Sequence, residues 1–308
     1  MGVWIDTDMG FDDMAAIFLV ARAGLAIDGV SLVAGNAPLD QVRSNAAGAA
    51  AAFSWTFPIH AGRAHAVLGG RETAAAILGE RGMPSAGRTL PQAALPPAGD
   101  AFAALCNWLE NADAEPRRLL ALGPLTNIAA LALARPDLAA RISDLTWMGG
   151  AIAAGNHTAS AEFNAYADPE ALAIVLGHGL PLTMIDLDLC RKVPTGPGEV
   201  DGLRRLGGRN AALIADLLSG YVDIAIRRGR AAMPIYDAIA AAVFVAPELA
   251  ELRQARIEVE LQGRHTRGRT VVETRASHAA FNARFAADID AAGAHAMVLD
   301  ALAEEARK

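Results

Sequence analysis

The sequence predicts an α/β fold in which helices cover both faces of a mostly parallel central sheet, as in open, Rossmann-like sheets. Short apolar or β-branched runs alternate with longer runs of helical periodicity along the first two thirds of the chain. Strands that alternate with helices in this way pair in parallel, because each helix returns the chain to the same end of the sheet. The 308 residues are 53% hydrophobic and 20% charged, which is enough apolar material for a large core.

The predicted elements alternate as strand and helix up to residue 186. Strands are expected at Val3–Asp6, Gly29–Ala34, Pro58–Ala61, Arg118–Leu122, Leu145–Met148 and Leu182–Asp186. Helices are expected at Asp12–Ala23, Val42–Ala52, Ala101–Asn111, Leu125–Ala134 and Pro169–Leu176. Beyond residue 198 the pattern predicts helices at Ala211–Arg228 and Ile235–Val245, strands at Ala255–Leu261 and Arg269–Thr274, and a terminal helix.

No linker with a shift in composition divides the chain, so we expect one catalytic domain over residues 1–308. The segment Gly62–Pro97 is rich in glycine and proline and only weakly periodic. A long stretch of this kind inside a compact domain is often a functional loop.

Composition and charge exclude several classes of partner. A net charge of −7 argues against a nucleic-acid surface, which needs a basic patch, and favours a small-molecule partner. No long uncharged apolar stretch predicts a membrane span, and the N-terminal residues have no basic region of a signal peptide. Cys106 and Cys190 lie in apolar runs without metal-ligand spacing, which indicates buried, reduced thiols. We therefore expect a cytoplasmic protein.

A cluster of acidic residues follows the first predicted strand. Four carboxylates occupy eight positions, Asp6, Asp8, Asp12 and Asp13, and no lysine or arginine occurs before Arg22. Carboxylates this close raise one another's pKa unless a cation compensates them, and oxygen ligands select Ca²⁺ or Mg²⁺. A helix N-cap would explain one of these residues, or two with the helix dipole, but not four.

This segment resembles the N-terminal signature of the nucleoside hydrolase family, DTDPGxDD, with Met9 in place of the usual proline. Further motifs of that family are similar in order and spacing along nearly the whole chain. They are Val33-Ala34-Gly35-Asn36, Gly123-Pro124-Leu125-Thr126-Asn127, Trp147-Met148-Gly149-Gly150, Gly155-Asn156, Ala161-Glu162-Phe163-Asn164, Asp168-Pro169-Glu170-Ala171 and Thr266-Arg267-Gly268-Arg269-Thr270-Val271-Val272.

The resemblance implies an enzyme that cuts the N-glycosidic bond between ribose and a nucleobase with the help of Ca²⁺. It implies metal ligands at the side chains of Asp8, Asp13 and Asp237 and at the backbone carbonyl of Thr126. Asp8 is also implied as the general base that deprotonates the attacking water. The residues implied to hold the ribose hydroxyls are Asp12, Asn36, Asn156, Glu162 and Asn164.

Local structure offers plainer explanations for some of these residues. Asn36 and Asn156 each follow a glycine and are also typical of turns. Glu162 and Asn164 are two positions apart, so on an extended segment they face the same way, which supports a shared ligand. Asp168 before Pro169 is typical of a helix N-cap, and we leave it out of the site.

The sequence departs from the family where the leaving base would lie. Many members have a histidine directly before the late metal-binding aspartate, and here Tyr236 stands in that place. Many also have a histidine before a Gly-Glu pair in the loop after the third strand, and here Leu78 stands there. We expect Tyr236 to be catalytic, either by stacking on a purine or by donating a proton, and we expect purine nucleosides to be favoured slightly, as in purine salvage.

Three alternatives stay open from the sequence. Because both histidines are missing, two of them are a protein that binds a ribosyl compound with little turnover and a hydrolase that acts on a non-standard ribosyl substrate. Ile5-Asp6-Thr7-Asp8 also resembles the start of haloacid-dehalogenase-type phosphatases, in which the first aspartate is a nucleophile, but that interpretation leaves Asp12, Asp13 and the later motifs unexplained. In each case the expected assembly is a homodimer or homotetramer.

Overall fold

The computed structural model describes residues 2–70, 72–94, 99–111 and 116–308. Its strands are β1 (Gly2–Thr7), β2 (Ala26–Leu32), β3 (Ile59–Ala61), β4 (Arg117–Ala121), β5 (Ile142–Met148), β6 (Leu182–Ile185), β7 (Pro194–Thr195), β8 (Met233–Pro234), β9 (Ala250–Val259), β10 (Thr270–Glu273) and β11 (Ala283–Ile289). Its helices are α1 (Phe11–Arg22), α2 (Leu39–Phe53), α3 (Ala75–Leu78), α4 (Ala101–Glu110), α5 (Thr126–Ala134), α6 (Pro136–Ala139), α7 (Phe163–Ala167), α8 (Pro169–Gly177), α9 (Leu187–Cys190), α10 (Pro197–Arg205), α11 (Ala211–Ile226), α12 (Tyr236–Val245) and α13 (Ala291–Arg307).

The strands form a large sheet in the order β10-β9-β11-β6-β5-β4-β1-β2-β3. From β3 to β6 all neighbours are parallel, β11 joins β6 in parallel, and β9 pairs antiparallel with both β11 and β10. The predicted fold class is therefore confirmed. The sequence did not predict β11, whose half-polar pattern Ala-Arg-Phe-Ala-Ala-Asp-Ile lacks the β-branched run that marked the other strands.

Apolar side chains fill both faces of this sheet. One core packs α1, α2, α11, α12 and α13 against it, and a second core packs α4, α5, α6 and α8 against the opposite face. Both cysteines are buried and free, as the sequence predicted. The polar residues that matter for function therefore lie at the strand ends, where neither core covers them.

The direction of the chain across the sheet reverses at β1, which lies between β2 and β4. In open parallel sheets a crevice forms at such a point, outside the carboxyl ends of the strands, and ligands bind there. The segments that follow β1, β2, β4 and β5 meet at this edge. In the part of the chain that the structure describes, no helix is long and apolar enough to cross a membrane.

Candidate active site

A cavity of about 900 Å³, measured with its open mouth, lies at the carboxyl edge of the sheet. Seven of the residues singled out in the sequence line it: Asp12, Asn36, Asn156, Glu162, Asn164, Tyr236 and Asp237. They come from segments up to 225 positions apart, and the topology of the sheet brings them together. Asp8 and Asp13 lie just beneath the cavity wall, with 1% and 0% of their surfaces exposed.

The turn from β1 into α1 fixes the position of Asp8. Met9, which replaces the family's proline, has a φ of 49°, in the left-handed region that a proline ring excludes. Both oxygens of Asp8 accept hydrogen bonds from Asn36, one from the backbone N–H at 2.7 Å and one from Nδ2 at 2.8 Å. Gly35 passes so close that a Cβ there would lie 2.1 Å from Asp8 Oδ2. Asn36 therefore orients Asp8 in addition to facing the cavity.

Four carboxyl groups, those of buried Asp8, Asp13 and Asp237 and of half-buried Asp12, meet at the floor of the cavity. Oxygens of Asp12, Asp13 and Asp237 lie within 4.8 Å of one another, and Asp13 is within hydrogen-bonding reach of both Asp8 and Asp237. Asp13 is itself anchored, because its oxygens accept from the hydroxyl of Thr7 and from the N–H of Gly10 at 2.7 Å. The four residues thus form one connected group at the start of α1 and α12.

Burial, and then mutual repulsion, make these groups hard to ionise. Burial raises the pKa of Asp12 to about 7, with Asp13 adding to the rise and a hydrogen bond from Tyr221 opposing it. Burial also raises the pKa of Asp8 and Asp237 well above the ordinary value. No arginine or lysine of the described residues forms an ion pair with any of the four. This all-oxygen, uncompensated set suits a hard divalent cation.

Asp6 does not belong to this group, although the sequence placed it in the same acidic cluster. Its Oδ1 accepts from the hydroxyl of Ser31 and from Asn127 Nδ2 at 2.7 Å, and neither Asp6 nor Asn127 lines the cavity. Asp6 still lies in β1, whereas Asp8 follows the strand. The side chain of Asp6 therefore contacts Ser31 and Asn127, whereas that of Asp8 lies with the carboxyl groups at the floor of the cavity. The fourth carboxylate is instead Asp237, from a distant part of the chain.

The structure does not bring the carbonyl of Thr126 to the cavity. Thr126 is the first residue of α5, so its carbonyl is directed along the helix, and its hydroxyl donates to Asp168 at 2.6 Å. Leu122, four positions earlier and directly after β4, lines the cavity instead. Its carbonyl accepts from Asn164 Nδ2 at 3.0 Å, which shows that it faces the site residues. The prediction for Thr126 is corrected on this ground.

Glu162 and Asn164 are held in place by the backbone. Glu162 caps α7: its carboxylate accepts the N–H groups of Asn164 at 2.9 Å, Ala165 at 3.1 Å and Gly150 at 2.9 Å. Asn164 Nδ2 donates to the carbonyls of Leu122 and Met148, both at 3.0 Å, and so ties the ends of β4 and β5 together. No residue that the structure describes donates a hydrogen bond to Oδ1 of Asn164, so this oxygen can accept one from a ligand hydroxyl. Asp168 caps α8, as the sequence predicted.

Tyr221 on α11 also reaches the floor of the cavity. Its hydroxyl donates to Asp12 Oδ2 at 2.8 Å, and its ring packs on Phe11 with 5.5 Å between ring centres. No sequence pattern indicates this contact, because 209 positions separate the two residues. His157, which sequence reasoning left without a role, also lines the cavity, with its ring 4.6 Å from that of Tyr166. In the sequence, only the position of His157 next to Asn156 indicated that it could belong to the site.

The wall opposite the sugar-binding candidates is apolar and half-buried. The short helix α3 lies within the predicted loop Gly62–Pro97, of which residues 71 and 95–97 fall outside the described residues, and it contributes Ile77 and Leu78 to the lining. Tyr236 faces the same space, and burial raises the pKa of its hydroxyl to about 12. A proton donor with that pKa is almost fully protonated at pH 7 but is a very weak acid.

Comparisons with known proteins identify the family of the chain. The profile of the inosine-uridine preferring nucleoside hydrolases matches residues 3–296. The non-specific ribonucleoside hydrolase RihC of Salmonella typhimurium is 36% identical over 270 residues, which cover 87% of this chain and 86% of the relative.

Solved structures of the same kind share the fold over nearly the entire chain. A purine-preferring ribonucleoside hydrolase from Gardnerella vaginalis superposes with a TM-score of 0.89 at 24% identity, over 100% of this chain and 99% of its own. An inosine-guanosine nucleoside hydrolase gives a TM-score of 0.86 at 27% identity, over 99% and 98% of the two chains. These matches leave the phosphatase interpretation without support. The chain belongs to the inosine-uridine preferring nucleoside hydrolase family, and its activity is that of an N-glycosidase that cuts ribonucleosides.

Proposed function

We propose that the protein hydrolyses ribonucleosides to ribose and free base with one Ca²⁺ held at the floor of the cavity. The observation that carries the proposal is the group of carboxyls of Asp8, Asp12, Asp13 and Asp237, with which no arginine or lysine of the described residues forms an ion pair. We assign the side chains of Asp8, Asp13 and Asp237 and the carbonyl of Leu122 to the ion. Ca²⁺ suits such a protein-rich oxygen site better than Mg²⁺, which keeps more of its own water.

Asp8 is the proposed general base. A bound Ca²⁺ would order and acidify a water molecule and help to hold the ribose hydroxyls. Asp8 takes a proton from the attacking water as the water oxygen bonds to the anomeric carbon. The C–N bond breaks at the same carbon, and the base departs with the electron pair. The two hydrogen bonds from Asn36 keep the carboxylate of Asp8 in one orientation for this transfer.

Asp12, Asn36, Asn156, Glu162 and Asn164 are the proposed ribose contacts. Their positions are fixed by hydrogen bonds to backbone groups, to Asp8 or to Tyr221, so they need little reorganisation when the sugar binds. The negative field of the floor favours a sugar that develops positive charge as the base departs. Contacts that strengthen with this charge lower the barrier, whereas contacts of equal strength throughout only improve binding.

Tyr236 is the proposed catalytic contact to the leaving base, and its raised pKa favours stacking over proton donation. Stacking between Tyr236 and the apolar side chains of Ile77 and Leu78 suits a flat, extended ring system. For that reason we propose a slight preference for purine nucleosides. Stacking also spreads the charge of the departing base and so assists its release.

A release assay distinguishes this enzyme from a protein that binds ribosyl compounds with little turnover. Purified protein with Ca²⁺ is incubated with inosine, uridine and a nitrophenyl riboside, whose leaving group needs no proton. The proposal predicts ribose release from all three, fastest from the activated riboside. Saturable binding of inosine with no ribose released from any substrate would establish the binding protein instead.

A further inference from the structure

Two arginines stand at the rim of the cavity without a partner. Arg228 and Arg230 are the arginine or lysine residues among its described lining, and both are exposed. Neither side chain forms an ion pair or a hydrogen bond with any residue that the structure describes. The other charged residues of the described lining, Asp12, Glu162 and Asp237, are all acidic.

The backbone holds both arginines at this rim. They follow α11 in a turn where the N–H groups of Arg228 and Arg230 both donate to the carbonyl of Ala225 at 3.0 Å. Gly229 between them has a φ of 72°, which lets the chain reverse within one residue. The turn therefore presents two positive groups on the same side, next to the wall formed by Ile224 and Ala225.

A plainer explanation is that the arginines only balance the negative end of the α11 dipole. A comparison with Arg227 shows that this explanation is incomplete. This residue caps the same helix, its Nε donates to the carbonyl of Asp223 at 3.3 Å, and it does not line the cavity. Arg227 thus already interacts with the C-terminal end of α11, whereas Arg228 and Arg230 line the cavity.

The position of the sugar decides what these groups would meet. If ribose occupies the floor, as in the proposed function on which this inference rests, the base extends towards the remaining space between α3, Tyr236 and the end of α11. The base edge remote from the glycosidic bond would then lie nearest the rim. A neutral base offers the guanidinium groups only uncharged acceptors, carbonyl oxygens or ring nitrogens, whereas a carboxylate offers a planar anion that matches their geometry.

We propose that Arg228 and Arg230 select ribonucleosides whose base carries a carboxylate or another negative charge on its outer edge. The floor repels such a charge, so the rim is the one part of the described lining that attracts it. Ribosides of a pyridine carboxylate meet this condition. Their ring nitrogen is quaternary, so the C–N bond breaks to leave a neutral pyridine ring with no proton required. That chemistry fits a cavity in which Leu78 and Tyr236 replace the family's histidines.

The test compares two substrates that differ in one group, nicotinic acid riboside and nicotinamide riboside. The quantity is the ratio of their kcat/KM values within each protein, so that variation in active fraction cancels. For the wild type we expect the acid to be favoured about tenfold, equivalent to about 1.4 kcal/mol. Arg228→Gln and Arg230→Gln should each lower the ratio, and the double variant should bring it to 1 or below. Arg227→Gln is the matched control and should keep the wild-type ratio.

Each outcome has one meaning. A wild-type ratio at or below 1, or a ratio that survives in the double variant, overturns the inference and leaves the proposed hydrolase intact, provided that inosine is still cut. No ribose release from any substrate, including inosine, overturns the proposed function and this inference with it. A ratio lowered equally by Arg227→Gln would show a general surface-charge effect and would also overturn the assignment.

Discussion

The two ends of the cavity are built in different ways. At the sugar end, Asp8, Asp13, Glu162 and Asn164 each have oxygens or amide groups tied to the backbone or to a neighbour, and all are at least nine-tenths buried. At the base end, Leu78 and Tyr236 are half-buried, Arg228 is exposed, and no described side-chain hydrogen bond fixes any of the three. The residues proposed to contact the ribose, which all ribonucleosides share, are thus held rigidly. The residues proposed to contact the base lie on loops and helix ends.

The largest effect should come from breaking the rigid end. Asp13→Ala should abolish binding of Ca²⁺ and lower kcat/KM for inosine by on the order of 10³-fold or more, because it removes both a ligand and the contact between Asp8 and Asp237. Isothermal titration and a ribose assay measure the two quantities. Asp6→Asn is the matched control, since Asp6 is buried nearby but outside the cavity, and it should still bind one ion. Wild-type affinity in Asp13→Ala would refute the metal assignment.

A smaller effect should follow from changing the sugar itself. Removal of the 2′-hydroxyl deletes contacts to the rigid end and leaves the base untouched. We expect 2′-deoxyinosine to be cut at least tenfold more slowly than inosine, a loss of about 1.4 kcal/mol of transition-state stabilisation. Equal kcat/KM values for the two nucleosides would contradict the assignment of Asp12, Asn164 and their neighbours to the ribose.

Changes at Tyr236 probe the looser end. If the ring acts by stacking, Tyr236→Phe should keep most of the activity on inosine, whereas Tyr236→Ala should lose about tenfold. A nitrophenyl riboside should be affected less in both variants, because its leaving group departs without help. If Tyr236→Phe and Tyr236→Ala lose comparable activity on inosine, the hydroxyl of Tyr236 acts as a proton donor in spite of its raised pKa.

The smallest effect concerns stability and pH. Burial raises the pKa of Glu162 from 4.5 and of Asp12 from 3.8, both to about 7, so the folded protein favours their protonated forms. Their contribution to stability is complete below the unfolded values and is lost as the pH rises through about 7. With chelator, the melting temperature should fall on the order of 5 °C between pH 5 and pH 8.

Calcium should reduce this fall, because it favours the ionised carboxylates at the floor. Part of the slope should persist, since burial also raises the pKa of Asp6 to about 7 and Asp6 lies outside the cavity. Asp6→Asn should therefore flatten the slope with and without calcium alike. Identical melting curves at pH 5 and pH 8 in chelator would show that the buried carboxyl groups do not titrate as proposed.

The same contrast explains how much the sequence could predict. Asp8 and Asp13 lie in an acidic cluster directly after β1, so they could be found from pattern and spacing, whereas Glu162 and Asn164 could be found from the resemblance to the family's motifs. Asp6 could not be separated from them, because sequence adjacency does not show that Ser31 and Asn127 draw its side chain away. The metal-ligand role was assigned to Thr126 for a similar reason. Thr126 is the first residue of α5, whereas Leu122, four positions earlier, lines the cavity.

Residues that α11 and the turn after it bring to the cavity gave almost no signal in the sequence. Tyr221 meets Asp12 across 209 positions, and the predicted helix Ala211–Arg228 ends at this turn without marking Arg228 or Arg230 as site residues. Only the packing of α11 over the sheet edge brings them to the cavity. The strand β11 was not predicted, because it forms through its pairing with β6 and β9. Its own composition is not typical of a strand.

The central claim is that a divalent ion at the carboxylate floor is needed for ribose release. The direct measurement is the initial rate of ribose release from inosine after exhaustive treatment with chelator, followed by titration with Ca²⁺. The account predicts that release stops without the ion and returns to a plateau at one Ca²⁺ per chain, with no recovery in Asp13→Ala. An unchanged rate in the chelated wild type would contradict the account.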